Sequence, residues 1–247
     1  MSIFPDIGKI DNEVLIETDL DFLIPYKEFV ENNLLLYNIW NASKGDNNSH
    51  FGHFPKLFMK NLLYYHTQPF ELVYDPFAGS GTTIDACTEM YRQYYVSDRK
   101  PDKSRPEIRQ HDINDGLPDM PKPDMVFLDP PYWTLAKNEY SEDESDLGNM
   151  SKEQFFQSMN TLIKNITNRQ INRIAYLIRP IWETGDTWEW VDPMFDMYDI
   201  LNNDYRIETR YVIPYSTQQY TGLWVDRAKN EKKCLVLNRE LTVWIRR

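Results

Sequence analysis

The chain is poor in the features that would tie it to a membrane, a secretory route or a metal. No apolar run approaches the ~20 residues that a bilayer-spanning helix needs. The opening MSIFPDIGKIDNE lacks the basic and apolar regions of a secretory signal. Cysteine is nearly missing: Cys87 and Cys234 stand in unrelated contexts, which favours two reduced thiols in a cytoplasmic protein over a disulfide framework. The four histidines, His50, His53, His66 and His111, show no ligand spacing with them, so no metal is expected. Positive charge is scarce too: the formal net charge is −11, at first sight unsuited to a polyanionic partner. The shortage is uneven. Residues 205–247 carry nine Lys or Arg against four acids, a net of +5, which leaves −16 on the rest. Such asymmetry marks either a binding face or an ordinary solvated surface.

What is present is the material of a folded protein: 41% hydrophobic, 14% aromatic and 26% charged residues over 247 positions, enough for a sizeable core. After an irregular or helical lead of about 50 residues, FPKLFMKNLLYY has apolar residues at helical spacing. The period then changes. FELVYD reads as a strand ending in the turn PFAGSG, and TTIDACTEMY as a helix opened by its threonines. QYYVSD, EIRQHD and MVFLD read as further strands, each ending on an acid: Asp98, Asp112 and Asp129. Residues 151–170 read as a helix with Ser151 as N-cap and SKEQ as a capping box. RIAYLIRP is a strand stopped by Pro180, and residues 205–215 and 234–246 read as two longer strands. Strands alternating with helices predict an α/β fold, a mostly parallel sheet with helices on both faces and an antiparallel hairpin at one edge, in a single domain.

Two strand tips carry the chemistry. In DPFAGSGTT, Asp75 to Thr83, Gly79 and Gly81 permit a tight turn and close approach of backbone to a ligand. No lysine follows the glycines, so this is no triphosphate loop. Asp98, 23 residues beyond Asp75, stands where the ribose hydroxyls of a nucleoside need an acceptor, and Asp112 where an adenine amino group does. Each acid taken singly is equally explained as a cap on its strand. Acids without a lysine suit a nucleoside that bears a positive charge, such as S-adenosylmethionine. The second tip, DMVFLDPPYW, stops a short buried strand on two prolines that fix φ and remove two backbone donors. The result is a stiff corner holding Asp129 and presenting Tyr132.

DPFAGSGTT followed about 50 residues later by DPPYW closely resembles the cofactor and catalytic motifs of the amino-methyltransferases, enzymes that methylate exocyclic nitrogens of adenine or cytosine in DNA, often in restriction–modification systems. HFGHFPKLF, residues 50–58, is similar to the family segment beside the methionine part of the cofactor. The resemblance covers residues 50–180, and the terminal strands by topology only. It implies the Rossmann-like, seven-stranded methyltransferase sheet with a reversed terminal hairpin, and S-adenosyl-L-methionine as cofactor. It implies that Asp75, Pro76, Phe77, Gly79, Gly81 and Thr82 form the cofactor turn. Asp98 would bond the ribose, Asp112 the adenine amino group, and Phe54, Pro55 and Lys56 would line the methionine end. Asp129, Pro130, Pro131 and Tyr132 would hold a flipped base, with Trp133 extending the aromatic platform or packing behind it. The aspartate form of the motif favours adenine N6. N4 of cytosine, an RNA amino group and a non-catalytic subunit of a methyltransferase complex stay open.

On this reading residues 1–49 form a lead packing on the core and residues 50–247 the catalytic domain, with DNA as partner. Specificity would come from a homodimer, a partner subunit, or elements at 133–150, 181–204 and 216–233. The first is acidic and reads as a lid. The second holds three of the seven tryptophans and reads as a helical flap or a protein-binding surface. The last, a hairpin loop, sets Tyr220 and Trp224 among Arg227, Lys229, Lys232 and Lys233, a composition that suits nucleic acid.

Overall fold

The computed structural model describes residues 25–41, 54–133, 142–184, 188–215 and 220–247. Part of the expected lead, His50 and His53, and parts of the three expected contact elements lie outside the described residues. The chain divides into two compact units, Met1–Leu34 and Leu35–Arg247. In the first, a helix over residues 25–31 (α1) is closed by Asn33 at φ +51°, a left-handed position that asparagine tolerates.

The second unit holds a seven-stranded sheet. In chain order its elements are α2 (Lys56–His66), β1 (Leu72–Asp75), α3 (Thr82–Glu89), β2 (Gln93–Asp98), β3 (Arg109–Gln110), β4 (Met125–Leu128), α4 (Lys152–Asn168), β5 (Arg173–Ile178), β6 (Ile181–Thr184), β7 (Trp188–Val191), α5 (Pro193–Leu201), β8 (Tyr205–Pro214), α6 (Gly222–Asn230) and β9 (Asn238–Arg246). The strand order is β3-β2-β1-β4-β5-β9-β8, with β6 and β7 as a separate hairpin. Strands β1 to β5 are parallel, and β9 runs antiparallel between β5 and β8. This is the mostly parallel sheet with a reversed terminal hairpin that the sequence predicts. The order reverses between β1 and β4, so the crevice outside their carboxyl ends is the place such a sheet offers a ligand.

Burial explains the elements. Every residue of β4 is buried, as expected of a parallel strand covered on both faces. One face packs Tyr74, Val126, Leu128, Ile174 and Tyr176 against α4 and α5. In α4 the buried residues Phe155, Met159, Leu162, Ile163 and Ile166 follow the 3.6-residue period, and the Ser151–Gln154 capping box forms as predicted. On the other side of the sheet, Ala78, Ile84, Val96 and Ile108 form a smaller cluster, and Phe54 at the start of α2 packs on Phe127 of β4. Residues 38–40 extend the sheet beyond β8: the Trp40 backbone N–H donates to the Val212 carbonyl at 2.9 Å and the indole stacks on Tyr211. Pairing there covers a sheet edge that would otherwise stand open.

Several expectations need correction. The threonines do not cap α3: its N-cap is Gly81, with no side-chain cap bond, because Thr83 gives its hydroxyl to Asp75 instead. The third strand shrinks to Arg109–Gln110, since EIRQHD has little apolar surface to bury. The last strand starts at Asn238 rather than at residue 234. Its partner β8 ends at Pro214, opposite Asn238, and one further bond, from Tyr215 N–H to the Leu237 carbonyl, closes the ladder. The supposed loop 216–233 contains helix α6, and the supposed flap 181–204 is hairpin β6–β7 followed by α5. Both cysteines are free. Among the described residues, no helix is long and apolar enough to cross a membrane.

Candidate active site

The turn after β1 is held by its own acids. Asp75 is buried, and its Oδ1 accepts from the Phe77 N–H at 2.9 Å while Oδ2 accepts from the Thr83 hydroxyl at 2.5 Å. One carboxylate thus staples strand, turn and helix together. Burial lifts its pKa to about 7, the two hydrogen bonds oppose the rise, and the charges of Asp129 and Asp98 add to it. The last two contributions put the tips of β2 and β4 within electrostatic reach of Asp75 at the tip of β1. Gly79 and Gly81 both sit at positive φ, +48° and +88°. Space around them differs. A Cβ on Gly79 would meet only the Phe77 carbonyl at 3.9 Å, whereas one on Gly81 would come within 2.9 Å of the Arg105 guanidinium. Arg105 lies across the turn and bonds Asp85 at 2.8 Å. Pro76 is buried, and Thr82 is the first residue of α3.

Asp98 stands at the end of β2 and faces the turn: Oδ2 accepts from the Gly79 N–H at 2.9 Å and Oδ1 from the Lys100 N–H at 2.8 Å. Asp112 follows β3, caps a short 3-10 turn through Asn114 N–H at 2.9 Å, and pairs with Arg99 at 3.1 Å. Arg99 also reaches Asp143 at 2.5 Å and Ser145 at 2.7 Å, which ties residues 143–145 to the β2–β3 edge. Beside α2, Phe54 is buried against Phe127, and Pro55 is the N-cap. Lys56 pairs at 2.6 Å with Glu89, the last residue of α3, instead of facing the turn at that helix's start.

The proline corner follows β4. Asp129 keeps part of its surface open but is otherwise enclosed by protein. That burial raises its pKa to about 6, against the pull of Arg239 and of the nearby Tyr132 hydroxyl. The buried Tyr132 hydroxyl is directed toward Asp129 without meeting full hydrogen-bond geometry, and that of Tyr176 on β5 is buried with no hydrogen-bond partner among the described residues. Burial, then the Asp129 charge, hold both phenols well above their ordinary pKa. Pro130 is buried and Pro131 half-buried. Trp133 is no open platform. It is 1% exposed, packs on Phe155 and Phe156 and donates to Glu183 of β6 at 2.9 Å, so it props the corner from behind.

Four residues that sequence reasoning missed surround this corner: Tyr176, Arg179, Tyr215 and Arg239. The Arg239 guanidinium lies over the rings of Phe54 (5.6 Å) and Tyr215 (5.3 Å), and Arg179 over Tyr215 (5.6 Å). Register alone brings them there. Ile178 pairs with Glu240 and Ile213 with Arg239, which puts the start of β9 at the carboxyl edge of β5. Of the expected substrate contacts, Tyr220 joins this group, accepting from Arg179 at 3.1 Å and donating to the Val236 carbonyl at 3.0 Å. Trp224, Arg227 and Lys229 lie on α6. Trp224 meets Trp188 edge-on, Arg227 pairs with Glu231 at 2.9 Å, and Lys229 is exposed beside Asp226. A groove of about 380 Å³ lined by Asn160, Lys164 and Asp199 shares no residue with these tips.

A DNA methylase family model matches residues 25–105, a stretch that includes the glycine turn and Asp98 and stops short of Asp129. No curated protein matches the chain. Among solved structures it is similar to TrmN from Thermus thermophilus, with 15% identity and a TM-score of 0.49 over 78% of this chain and 49% of that one. The chain therefore spans about half the length of that protein. It is also similar to the 1,6-didemethyltoxoflavin-N1-methyltransferase of Burkholderia thailandensis, solved with S-adenosylhomocysteine, with 10% identity and a TM-score of 0.46 over 96% and 93% of the two chains. For the magnesium protoporphyrin IX methyltransferase of Synechocystis PCC 6803 the values are 12%, 0.43, 96% and 90%.

Proposed function

We propose that the chain is an S-adenosylmethionine-dependent methyltransferase acting on an exocyclic amino group of a nucleic-acid base, with adenine N6 in DNA as the favoured target. The observation that carries this reading is the meeting of the glycine turn and the Asp129 corner on adjacent strands, β1 and β4, at the reversal of the sheet. The DNA methylase match over residues 25–105 supports the half of the reading that concerns the turn. The donor set suits the cofactor: three carboxylates at neighbouring tips and no lysine after the glycines favour a cationic nucleoside over a pyrophosphate. Gly79 and Gly81 would let it approach the backbone, Asp98 would accept from its ribose hydroxyls, and Phe54 would border its methionine end. Asp112, already paired with Arg99, has its remaining lone pairs for the adenine amino group. When bound, the cofactor supplies an electrophilic methyl group on sulfonium sulfur.

The rest is done by the chain's own groups. An exocyclic amine is a poor nucleophile because its lone pair is delocalised into the ring. Asp129 accepts one amino hydrogen and the Pro130 carbonyl the other, which turns the lone pair out of conjugation. The prolines keep that carbonyl from rotating away. The carboxylate also stabilises positive charge developing on nitrogen, and Arg239 helps keep it ionised at neutral pH. Tyr132 offers the ring on which an extruded base can stack.

Asp129→Ala tests the reading. Transfer of labelled methyl to unmodified DNA should fall by ~10²–10³-fold, while cofactor binding measured by calorimetry stays as in the unsubstituted chain. Equal turnover by the variant on DNA and RNA alike refutes the catalytic assignment, and transfer confined to RNA moves the substrate.

A further inference from the structure

Hairpin β6–β7 and helix α6 together form a strip of four indoles. Trp190 meets Trp182 at 5.0 Å between ring centroids, Trp182 meets Trp188 at 5.8 Å, and Trp188 meets Trp224 of α6 at 5.9 Å, each edge-to-face. Cations lie on the same rings. The Arg227 guanidinium sits 5.3 Å from Trp188 and 5.9 Å from Trp224, and the Lys233 ammonium 5.0 Å from Trp182. The two ends of the strip are open, with Trp190 45% and Trp224 37% exposed, and its middle residue Trp188 is 7% exposed. The Trp188 indole N–H is buried without a hydrogen-bond partner among the described residues.

The strip is fastened to the corner. Glu183 of β6 accepts from the Trp133 indole N–H, so the hairpin is anchored to the residue that directly follows Asp129-Pro-Pro-Tyr. We infer that the Trp190–Trp182–Trp188–Trp224 strip is the surface on which an unpaired nucleic-acid strand lies, its bases stacked on the open indoles of Trp190 and Trp224 and its phosphates held by Arg227 and Lys233. This rests on the reading of the corner as a base-binding site: a strand that delivers a base to Asp129 must carry its neighbouring nucleotides past what adjoins the corner. The physics favours an unpaired strand over a duplex, because only unstacked bases expose the faces that indoles bind. Lys233 over Trp182, together with Arg227 once a phosphate replaces its 2.9 Å partner Glu231, favours a polyanion over an apolar partner.

Binding of a fluorescein-labelled, mixed-sequence oligonucleotide, single-stranded or annealed, tests this by anisotropy without cofactor or turnover. Trp190→Ala and Trp224→Ala each remove an indole from an open end. Each should weaken single-strand binding about fivefold or more, with a smaller loss for duplex. Arg227→Gln with Lys233→Gln should reduce the salt dependence of binding. Circular dichroism and cofactor titration of each variant report whether the fold is intact. Unchanged single-strand affinity in folded tryptophan variants overturns the inference, as does self-association that the same variants abolish, which would make the strip a contact between two copies. Loss of methyl transfer in Asp129→Ala reads the corner and loss of strand affinity in the tryptophan variants reads the strip, so failure of the strip and failure of the catalytic reading give different results.

Discussion

In the glycine turn, both oxygens of Asp75 and both of Asp98 already hold donors from the chain itself, whereas at the proline corner the Tyr176 hydroxyl has no partner among the described residues and that of Tyr132 only leans toward Asp129. The two tips are neighbours in one sheet and differ in what they leave unfinished. A turn satisfied internally is shaped before any ligand arrives, and its cost is met by folding. A corner with a buried hydroxyl, unpartnered among the described residues, beside a carboxylate of raised pKa keeps capacity that a bound molecule can use. Rigidity thus resides at the turn and chemical demand at the corner.

The largest expected effect comes from destroying the preformed turn. Gly81→Arg forces an L-residue to φ +88° and drives its side chain into Arg105, so cofactor titration should disappear, at least a tenfold weakening. Normal titration by that variant would remove the turn from the binding site.

Acidity separates the tips next. Asp75 titrates near pH 7 when folded and near its ordinary 3.8 when unfolded, so the folded chain retains a proton that the unfolded chain has lost between those values. Its contribution to stability is complete below pH ~4 and declines as pH rises to ~7. Asp129, at about 6, acts in the same direction on stability, yet it must lose its proton to accept from an amine. Methyl transfer should therefore rise through pH ~6 while the melting temperature falls across pH 4–7. Asp75→Asn should flatten the melting profile and leave the rise in activity. A melting profile of unchanged slope in that variant contradicts the assignment of the proton to Asp75.

The smallest effect is the sharpest contrast. Thr83→Val strips the buried Asp75 carboxylate of a donor and should cost on the order of 1–3 kcal/mol in denaturant unfolding. Tyr176→Phe removes a hydroxyl with no partner among the described residues, so stability should hold or rise slightly. Equal losses in the two variants would erase the distinction between tips.

Much of this was legible because glycine and proline punctuate a chain strongly. β1, β2, β4 and β5 end where the sequence places Asp75, Asp98, Asp129 and Pro180, within a residue or so. Elements whose apolar signal was weak or misleading were misread. Helix α6 buries only Ala228 and shows no stripe to find. The run Cys234–Leu237 looks like strand, but among the described residues only the Leu237 carbonyl meets a backbone donor, from Tyr215, once β8 ends. The indole hairpin was hidden among acids that suggested a flap.

The sequence by itself determined the two stiff tips, the alternation that makes a parallel sheet, and the acids that close its strands, because each follows from local backbone restriction and periodicity. Tertiary structure alone decided that those tips adjoin, that Arg239, Arg179 and Tyr215 arrive from distant segments, and that four tryptophans form one strip. Those outcomes depend on strand order and register, and pairing between segments as distant in the chain as β1 and β4 or β5 and β9 leaves no mark on either segment alone.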